Sequence, residues 1–347
     1  MIPQRFVLYR RRALRAVTCA AAAVAWAAVA GLPLAQAQTA PSVPPAPSRS
    51  PSFPTRPITL VIGYAPGGGT DIVGRVLARE LESELGQPVV VENKAGAGTL
   101  IATEYVARAP ADGYTLFFAT NGMVINSLLK DPAPYDVVKD FAPVGMVTVQ
   151  SLALIVRPGL GIHSVKELIA YAKARPGKLN FASSGHGNAQ HVAGEAFAAA
   201  TGIDIVHVPY KGAGPAIQDL IAGRVDMMFT GLLGLKDHIA AKRMILLATT
   251  GQSRTTATPD VPSVSEAAGI PDYAVDSWQA IFAPAGTPQP VIDRLSQALQ
   301  RVGQAGRLAD RFKDEGMDVR VSTPQALHDF IVKDRRQLAG IIDRIKK

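Results

Sequence analysis

The sequence predicts an α/β protein of two lobes, each a mostly parallel sheet flanked by helices. Three observations carry this. Apolar strand patterns alternate with amphipathic helix patterns in two successive runs from Ile58 to Thr250, and such alternation implies a parallel sheet with helices on its faces. Two stretches, Tyr64–Gly86 and Phe181–Gly202, each pass from an apolar strand through a glycine-rich turn into a helix, about 120 residues apart. Two long extended patterns, Met146–Arg157 and Tyr273–Phe282, are placed to carry the chain between the lobes and back. Open α/β sheets bind ligands beyond the carboxyl ends of their strands, so one glycine turn per lobe points to a ligand clamped between them.

The first residues are an address rather than fold. Arg5, Arg10, Arg11, Arg12 and Arg15 form a basic segment without an acid, Ala16–Ala30 carries no charge, and "AQA" (Ala35–Ala37) has the small-x-small pattern of a cleavage site. This predicts a signal peptide over residues 1–37. Its apolar run falls short of the roughly 20 residues a bilayer span needs. Arg11-Arg12-Ala13-Leu14 loosely resembles a twin-arginine signal, but Arg15 stands where an apolar residue belongs, so the export route stays open. Loss of those five arginines lowers the formal charge from +8 to +3. That is a mild balance, not a nucleic-acid footprint. Cys19, the single cysteine, leaves with the leader, so no disulfide, cysteine nucleophile or thiolate metal site is expected. A chain this long buries a core without staples. Ala40–Pro54 holds six prolines and four serines, which predicts an extended tether over 38–55, with the fold starting near Arg56.

In the first run, "ITLVIGYA" (Ile58–Ala65) reads as a buried parallel strand. Thr70 is the expected N-cap of the following helix, and Gly86 its stop. "PVVVEN" is a strand, "GAGTLIATEYVARA" a turn and helix, and "YTLFFAT" a third strand. "MVTVQSLALIVRPG" (Met146–Gly159) is one long strand pattern. The second run holds the helix "SVKELIAYAKARPG", the strand "LNFASSG", a helix from Asn188, the strand "DIVHVPY", the helix "AGPAIQDLIAG", the strand "VDMMFT", a helix near Asp237–Lys242 and the strand "MILLATT". "SWQAIFAPAG" (Ser277–Gly286) is extended, and helices starting near Thr287, Ala305 and Thr323 finish the chain.

The glycine turns fail most chemical tests. A P-loop needs G-x-x-x-x-G-K-S/T, and Gly69 stands where its lysine belongs, so nothing reaches a terminal phosphate. Gly185-His186-Gly187-Asn188-Ala189-Gln190 lacks the third glycine of a dinucleotide turn, and Gly212-Ala213-Gly214-Pro215 breaks the pattern with proline. There is no G-x-S-x-G elbow, and no serine sits at a recognisable activated position despite His186, His191 and His207 nearby. His186 and His191 stand five apart, not on one helical face, so no metal site is expected. What remains is helix physics. The first turn of a helix offers unpaired N–H groups and a partial positive charge, and glycines let a ligand approach that backbone. Two facing helix ends would each hold one end of a small carboxylate. Asp71, in a first turn, would repel a carboxylate placed against it, so it either points away or meets a donor.

The chain resembles the tripartite tricarboxylate transporter receptors, the Bug-type solute-binding proteins. The resemblance lies in "RPITLVIGYAPGGGTDIVGRVLARELESELGQPVVVENKAGAG", "ADGYTLFFATNG", "YDVVKDFAPVGMV", "IVHVPYKGAGPAIQDLIAGRVDMMF", "PDVPSVSEAAGI" and "IFAPAGTP", in that order from Arg56 onward. It implies a type II-like Venus flytrap of the periplasmic-binding-protein fold, with lobes formed by 56–153 plus 277–347 and by 154–276. It implies no cofactor, no metal and no catalysis. The expected partners are a small organic carboxylate and the membrane permease subunits that receive it, with no nucleic acid and a monomeric chain; a ligand sensor is the alternative, and an exported hydrolase on a similar frame ranks behind both. By motif, Pro66, Gly67, Gly68, Gly69, Thr70 and Asp71 would hold one carboxylate, often through waters, and Asn121 would end a strand in the same lobe. Ser183, Ser184, Gly187 and Asn188 would form the opposing helix end, flanked by Tyr210. Three departures stand out. Thr230-Gly231 replaces the family's usual aspartate-asparagine, Gln279 replaces an aromatic, and "AGAGTL" replaces a usual "PGAGG". The first two fall where the pocket floor is expected and put the ligand in doubt rather than the fold.

Overall fold

Residues 53–130, 132–271 and 273–345 are described by the computed structural model; the leader and the tether up to residue 52 lie outside them. The near-continuous apolar run ITLVI forms β1 (Ile58–Ile62), which is almost wholly buried. It is followed by α1 (Gly69–Leu85), β2 (Val89–Asn93), α2 (Leu100–Ala107), β3 (Thr115–Thr120), α3 (Gly122–Leu129) and β4 (Phe141–Ser151). The middle of the chain supplies β5 (Ala153–Val156), α4 (Val165–Lys173), β6 (Leu179–Ser183), α5 (Ala189–Thr201), β7 (Ile205–Pro209), α6 (Ala213–Ile221), β8 (Met227–Thr230), α7 (Lys236–Ala240), β9 (Ile245–Thr249) and α8 (Val264–Ala268). Then β10 (Asp276–Pro284), α9 (Gln289–Gln304), α10 (Arg307–Phe312), β11 (Met317–Val319) and α11 (Pro324–Ile345) complete it. Among the described residues no helix is long and apolar enough to cross a membrane.

Two sheets result, in the orders β11-β4-β10-β3-β1-β2 and β7-β6-β8-β5-β9. The expected parallel pairings β2-β1-β3 and β7-β6-β8 form one half of each. Antiparallel strands fill the other half, because the strands that carry the chain across run back against β3 and β8. Both sheets are therefore mixed. The single strand expected over Met146–Gly159 divides at Leu152: β4 belongs to the first sheet and β5 to the second. Thr250, fully buried, fastens this crossing to the return one. Its N–H donates to Leu152 O (2.7 Å) and its Oγ1 accepts from Leu152 N (2.8 Å), while Oγ1 also donates to Val275 O (2.7 Å).

Local chemistry sets most helix ends where the sequence places them. Ser164 and Asn188 cap α4 and α5 by accepting from Glu167 N and His191 N, and Gly86 ends α1 in the left-handed region at φ 71°. Thr70 is a correction. The N-cap of α1 is Gly68, without a side-chain cap bond, and Thr70 lies inside the first turn with its Oγ1 accepting from Gln279 Nε2 at 3.3 Å. The helices α3 and α8 and the strand β11 had no sequence signal strong enough to place them. Six of the eight residues of α3 are buried, so its pattern has no polar face, and β11 has only three residues. Packing also reaches further upstream than Arg56, since the Phe53 ring meets Tyr114 edge-on at 5.0 Å.

Candidate functional site

Four helices begin at one cavity between the two sheets. Gly68, Gly69 and Thr70 at the head of α1, Asn121 before α3, Asn188, Ala189 and Gln190 at the head of α5, and Ala213 at the head of α6 all line it. Tyr64 and Thr120 come from strand ends of the first sheet, Gln150 and Leu152 from the crossing, and Ser184, Thr230 and Gly231 from the second sheet; Ile217, Leu233 and Ser277 close the rest. Among the described residues no Asp, Glu, Lys, Arg or His lines this cavity. Tyr64, its hydroxyl 3.0 Å from Thr120 Oγ1, is pushed up to about 12 by burial and stays neutral. The attraction the cavity offers an anion is therefore that of neutral dipoles, the N–H groups of helix ends together with hydroxyl and amide side chains.

The first glycine turn is braced from behind. Asp71 is 4% exposed. Its Oδ2 accepts from Gly67 N and Arg75 Nε, both at 3.0 Å, and its Oδ1 accepts from Asn93 Nδ2 at 3.0 Å. Burial pushes this carboxyl up, but the bonds from Arg75, Asn93 and Gly67 outweigh it and hold it below its ordinary range. Asp71 is thus spent on the loop and does not line the cavity, which answers the repulsion its position raises. Pro66 and Gly67, the latter at φ 87°, shape the turn without lining the cavity. With Asp71 turned away, α1 presents bare N–H groups. The helix α6 does the same: its N-cap is Gly212, again without a side-chain cap bond. These two uncapped ends face each other, since a Cβ built on Gly68 would lie 3.5 Å from Ala213 N.

The second glycine turn is organised by side chains. Gln190 Oε1 accepts from Ser184 N (2.8 Å), His191 Nδ1 from Gly187 N (3.3 Å) and Asn188 Oδ1 from His191 N (3.0 Å). Asn188 Nδ2 donates to Ser184 Oγ (2.9 Å) and Gln190 Nε2 to Thr230 Oγ1 (3.2 Å). Ser184, Asn188, Gln190 and Thr230 form a polar wall. Ser183 and Gly187 stand behind it. Ser183 Oγ lies 2.7 Å from His207 Nε2, but it is fully buried and donates to Gly185 O, so this serine-histidine pair has no route to a substrate. Tyr210 also lies off the cavity, its hydroxyl donating to Asp219 Oδ2 at 2.7 Å. Of the two departures at the expected floor, Thr230 with Gly231 lines the cavity, while Gln279 is buried behind Thr70.

Gln150 Oε1 and Asn121 Oδ1 are buried acceptors with no partner in the protein. Both residues line the cavity, where a ligand donor or a water it brings would satisfy them. The lobes meet around the cavity. Ala65 N donates to Lys211 O (2.8 Å), and Asn126 Nδ2 lies within bonding distance of Gly98 O (2.7 Å) and Gly187 O (3.0 Å). Sequence reasoning missed Tyr64, Gln150, Gln190 and Ala213. For Ala213 a signal existed: Gly212-Ala213-Gly214 is a third strand-to-glycine-to-helix junction. Outside the cavity, His186, His191 and His207 come together, which their spacing in the sequence concealed.

The family described as "Tripartite tricarboxylate transporter family receptor" matches residues 73–346. Among solved structures, the chain is similar to the periplasmic binding protein BugD, at 34% identity and a TM-score of 0.81, covering 85% of this chain and 99% of that one. It is similar to Rpa4515 of R. palustris with adipate, at 32% identity and a TM-score of 0.81, covering 85% and 98%. It is also similar to MatC from Rhodopseudomonas palustris with bound malate, at 30% identity and a TM-score of 0.79, covering 84% and 100%.

Proposed function

Since the chain belongs to the tripartite tricarboxylate transporter receptors, a family of periplasmic solute-binding proteins rather than enzymes, we propose that it captures a small dicarboxylate between its lobes and delivers it to a tripartite tricarboxylate-type permease. The observation that carries this is the cavity at which four helices begin with no charged side chain. The facing ends of α1 and α6 take one carboxylate through Gly68, Gly69, Thr70 and Ala213. The wall of Ser184, Asn188, Gln190 and Thr230 takes the other end. Each helix end contributes about 0.3–2 kcal/mol, whereas micromolar affinity needs about 8 kcal/mol. The remainder comes from hydrogen bonds made in a closed, dry cleft. Adipate and malate, the ligands of two similar proteins, are both dicarboxylates and fit this division of labour.

In this reading the leader 1–37 is cut near Ala37, a tether follows as far as the packed Phe53, and a monomer with lobes 53–153 plus 277–347 and 154–276 works in the periplasm. A thermal-shift panel of mono-, di- and tricarboxylates tests the proposal. A ligand at 100 times its Kd adds about 2.7 kcal/mol, which is several degrees in Tm at this size. Dicarboxylates should give the largest shifts. A folded protein whose Tm no carboxylate moves would overturn the reading.

A further inference from the structure

We propose that His186, His191 and His207 form a three-imidazole site for a divalent transition-metal ion of the zinc, nickel or copper class, on the second lobe beside the cleft. The pairing of β6 with β7 carries His207 next to the glycine turn, where His186 and His191 stand on either side of the head of α5. The ligating nitrogens of the three rings lie within 4.8 Å of one another. A metal at the centre of such a triangle sits at most about 2.8 Å from each nitrogen, against roughly 2.0–2.1 Å for a zinc–imidazole bond. Closing that gap brings each nitrogen in by less than about 1 Å, with the rings, now inclined at 31–55° to one another, turning so that their lone pairs converge; His186 is exposed and has room to turn.

The surroundings match those of metal-binding histidines. Such rings usually have their second nitrogen held by a carboxylate or another oxygen. Here His191 Nε2 lies 3.6 Å from Glu195 Oε1, and His207 Nε2 lies 2.7 Å from Ser183 Oγ. The long bond from Gly187 N to His191 Nδ1, 3.3 Å, is the one a metal would displace. Imidazole ligands suit zinc, copper and nickel rather than magnesium or calcium. The site is separate from the carboxylate cavity, since none of the three histidines lines it.

The test uses the exported protein, purified without a histidine tag, stripped with EDTA and titrated with zinc sulfate alone in a calorimeter. The expected result is one ion per chain with a Kd below about 10 µM, or about 7 kcal/mol. Losing an outer partner of a metal ligand already costs 10–100-fold, so His186→Ala should weaken zinc by at least ~30-fold. Because His186 is exposed, that variant should keep the metal-free Tm; His207→Gln provides a second, independent loss. Cobalt in place of zinc should give visible absorption bands that His186→Ala abolishes. A Kd weaker than about 10 µM, or binding that both variants leave unchanged, overturns the proposal.

Discussion

At Gly67–Gly69 the N–H groups heading α1 are left open, and a buried carboxylate holds the turn from behind. At Gly185–Gly187 most of the N–H groups already have acceptors, supplied by Ser183, Gln190, His191 and Asn188. One turn thus presents backbone to the cavity and the other presents side chains. Backbone donors are the same in any sequence that keeps the glycines, whereas a side-chain wall changes with each substitution. A fixed end for a group every ligand shares, and an adjustable end for what differs, is the division this contrast teaches. Gly187 fits that picture as a structural glycine: its φ is 74°, and a Cβ there would come within 2.6 Å of Asn126 Oδ1.

The largest effect is expected from Gly68→Val. Its φ of −88° suits any residue, and the added Cβ meets Ala213 at 3.5 Å, an ordinary contact. The valine methyls would cover the facing heads of α1 and α6. Calorimetry with the dicarboxylate that gives the largest thermal shift should record a loss of about 100-fold, close to 2.7 kcal/mol, at unchanged Tm. Retained affinity would remove the first turn as the anchor.

A smaller effect is expected from Asp71→Ala. It leaves the turn intact in sequence but unbraced, so affinity should fall roughly tenfold, and urea unfolding should show a loss of about 3 kcal/mol for buried, charge-assisted bonds. Acid provides the same test without a mutation. The folded carboxyl titrates below its ordinary value of 3.8, so its stabilisation is fully present above that value and is lost as pH falls through the lowered one. Between pH 7 and pH 5 the Asp71 contribution should stay constant. Below pH 3.8 the gap in stability between the native protein and Asp71→Ala should narrow; a gap that is already closed at pH 5 would contradict the bracing role.

The mildest case lies on the other side of the cleft. Asn188→Ala removes the cap of α5, worth about 1 kcal/mol, and one member of the wall, so affinity should fall only a few-fold. Asn188→Asp keeps the cap but sets a negative charge beside the cavity. Its Tm should match the native protein while its affinity falls below that of Asn188→Ala. If the aspartate variant binds as well as the native chain, the wall does not touch the ligand.

The frame of this molecule was legible where chemistry is local. The step from β1 through Gly67–Gly69 into α1, the cap at Asn188 and the stop at Gly86 each depend on residues a few positions apart. What escaped depends on partners brought in by the fold. The direction of Asp71 is set by Asn93, 22 residues away, and by Arg75, whose role is visible only once the turn exists. Leu152 falls inside one continuous strand pattern, with Gln150 and Ser151 interrupting its apolar residues, and nothing local says that the chain changes sheets there. The histidines 186, 191 and 207 share no helical face or motif spacing; only strand pairing brings them together. Of the residues expected at the site, those at the heads of α1 and α5 converge on the cavity with Asn121 and Thr230, whereas Pro66, Gly67, Asp71, Ser183, Gly187 and Tyr210 serve the turns and walls around it.

Thr250 has a mechanical consequence. By bonding to Leu152 on one crossing and Val275 on the other, it fastens two connecting strands that also pair directly, Ser151 with Asp276. Strands fastened that way resist sliding past each other, so the cleft opens by bending about one short axis, a hinge rather than a shear. A small twist at these strands parts the contacts the lobes make with each other, Asn126 with Gly187 among them, and so opens the gap through which a solute enters.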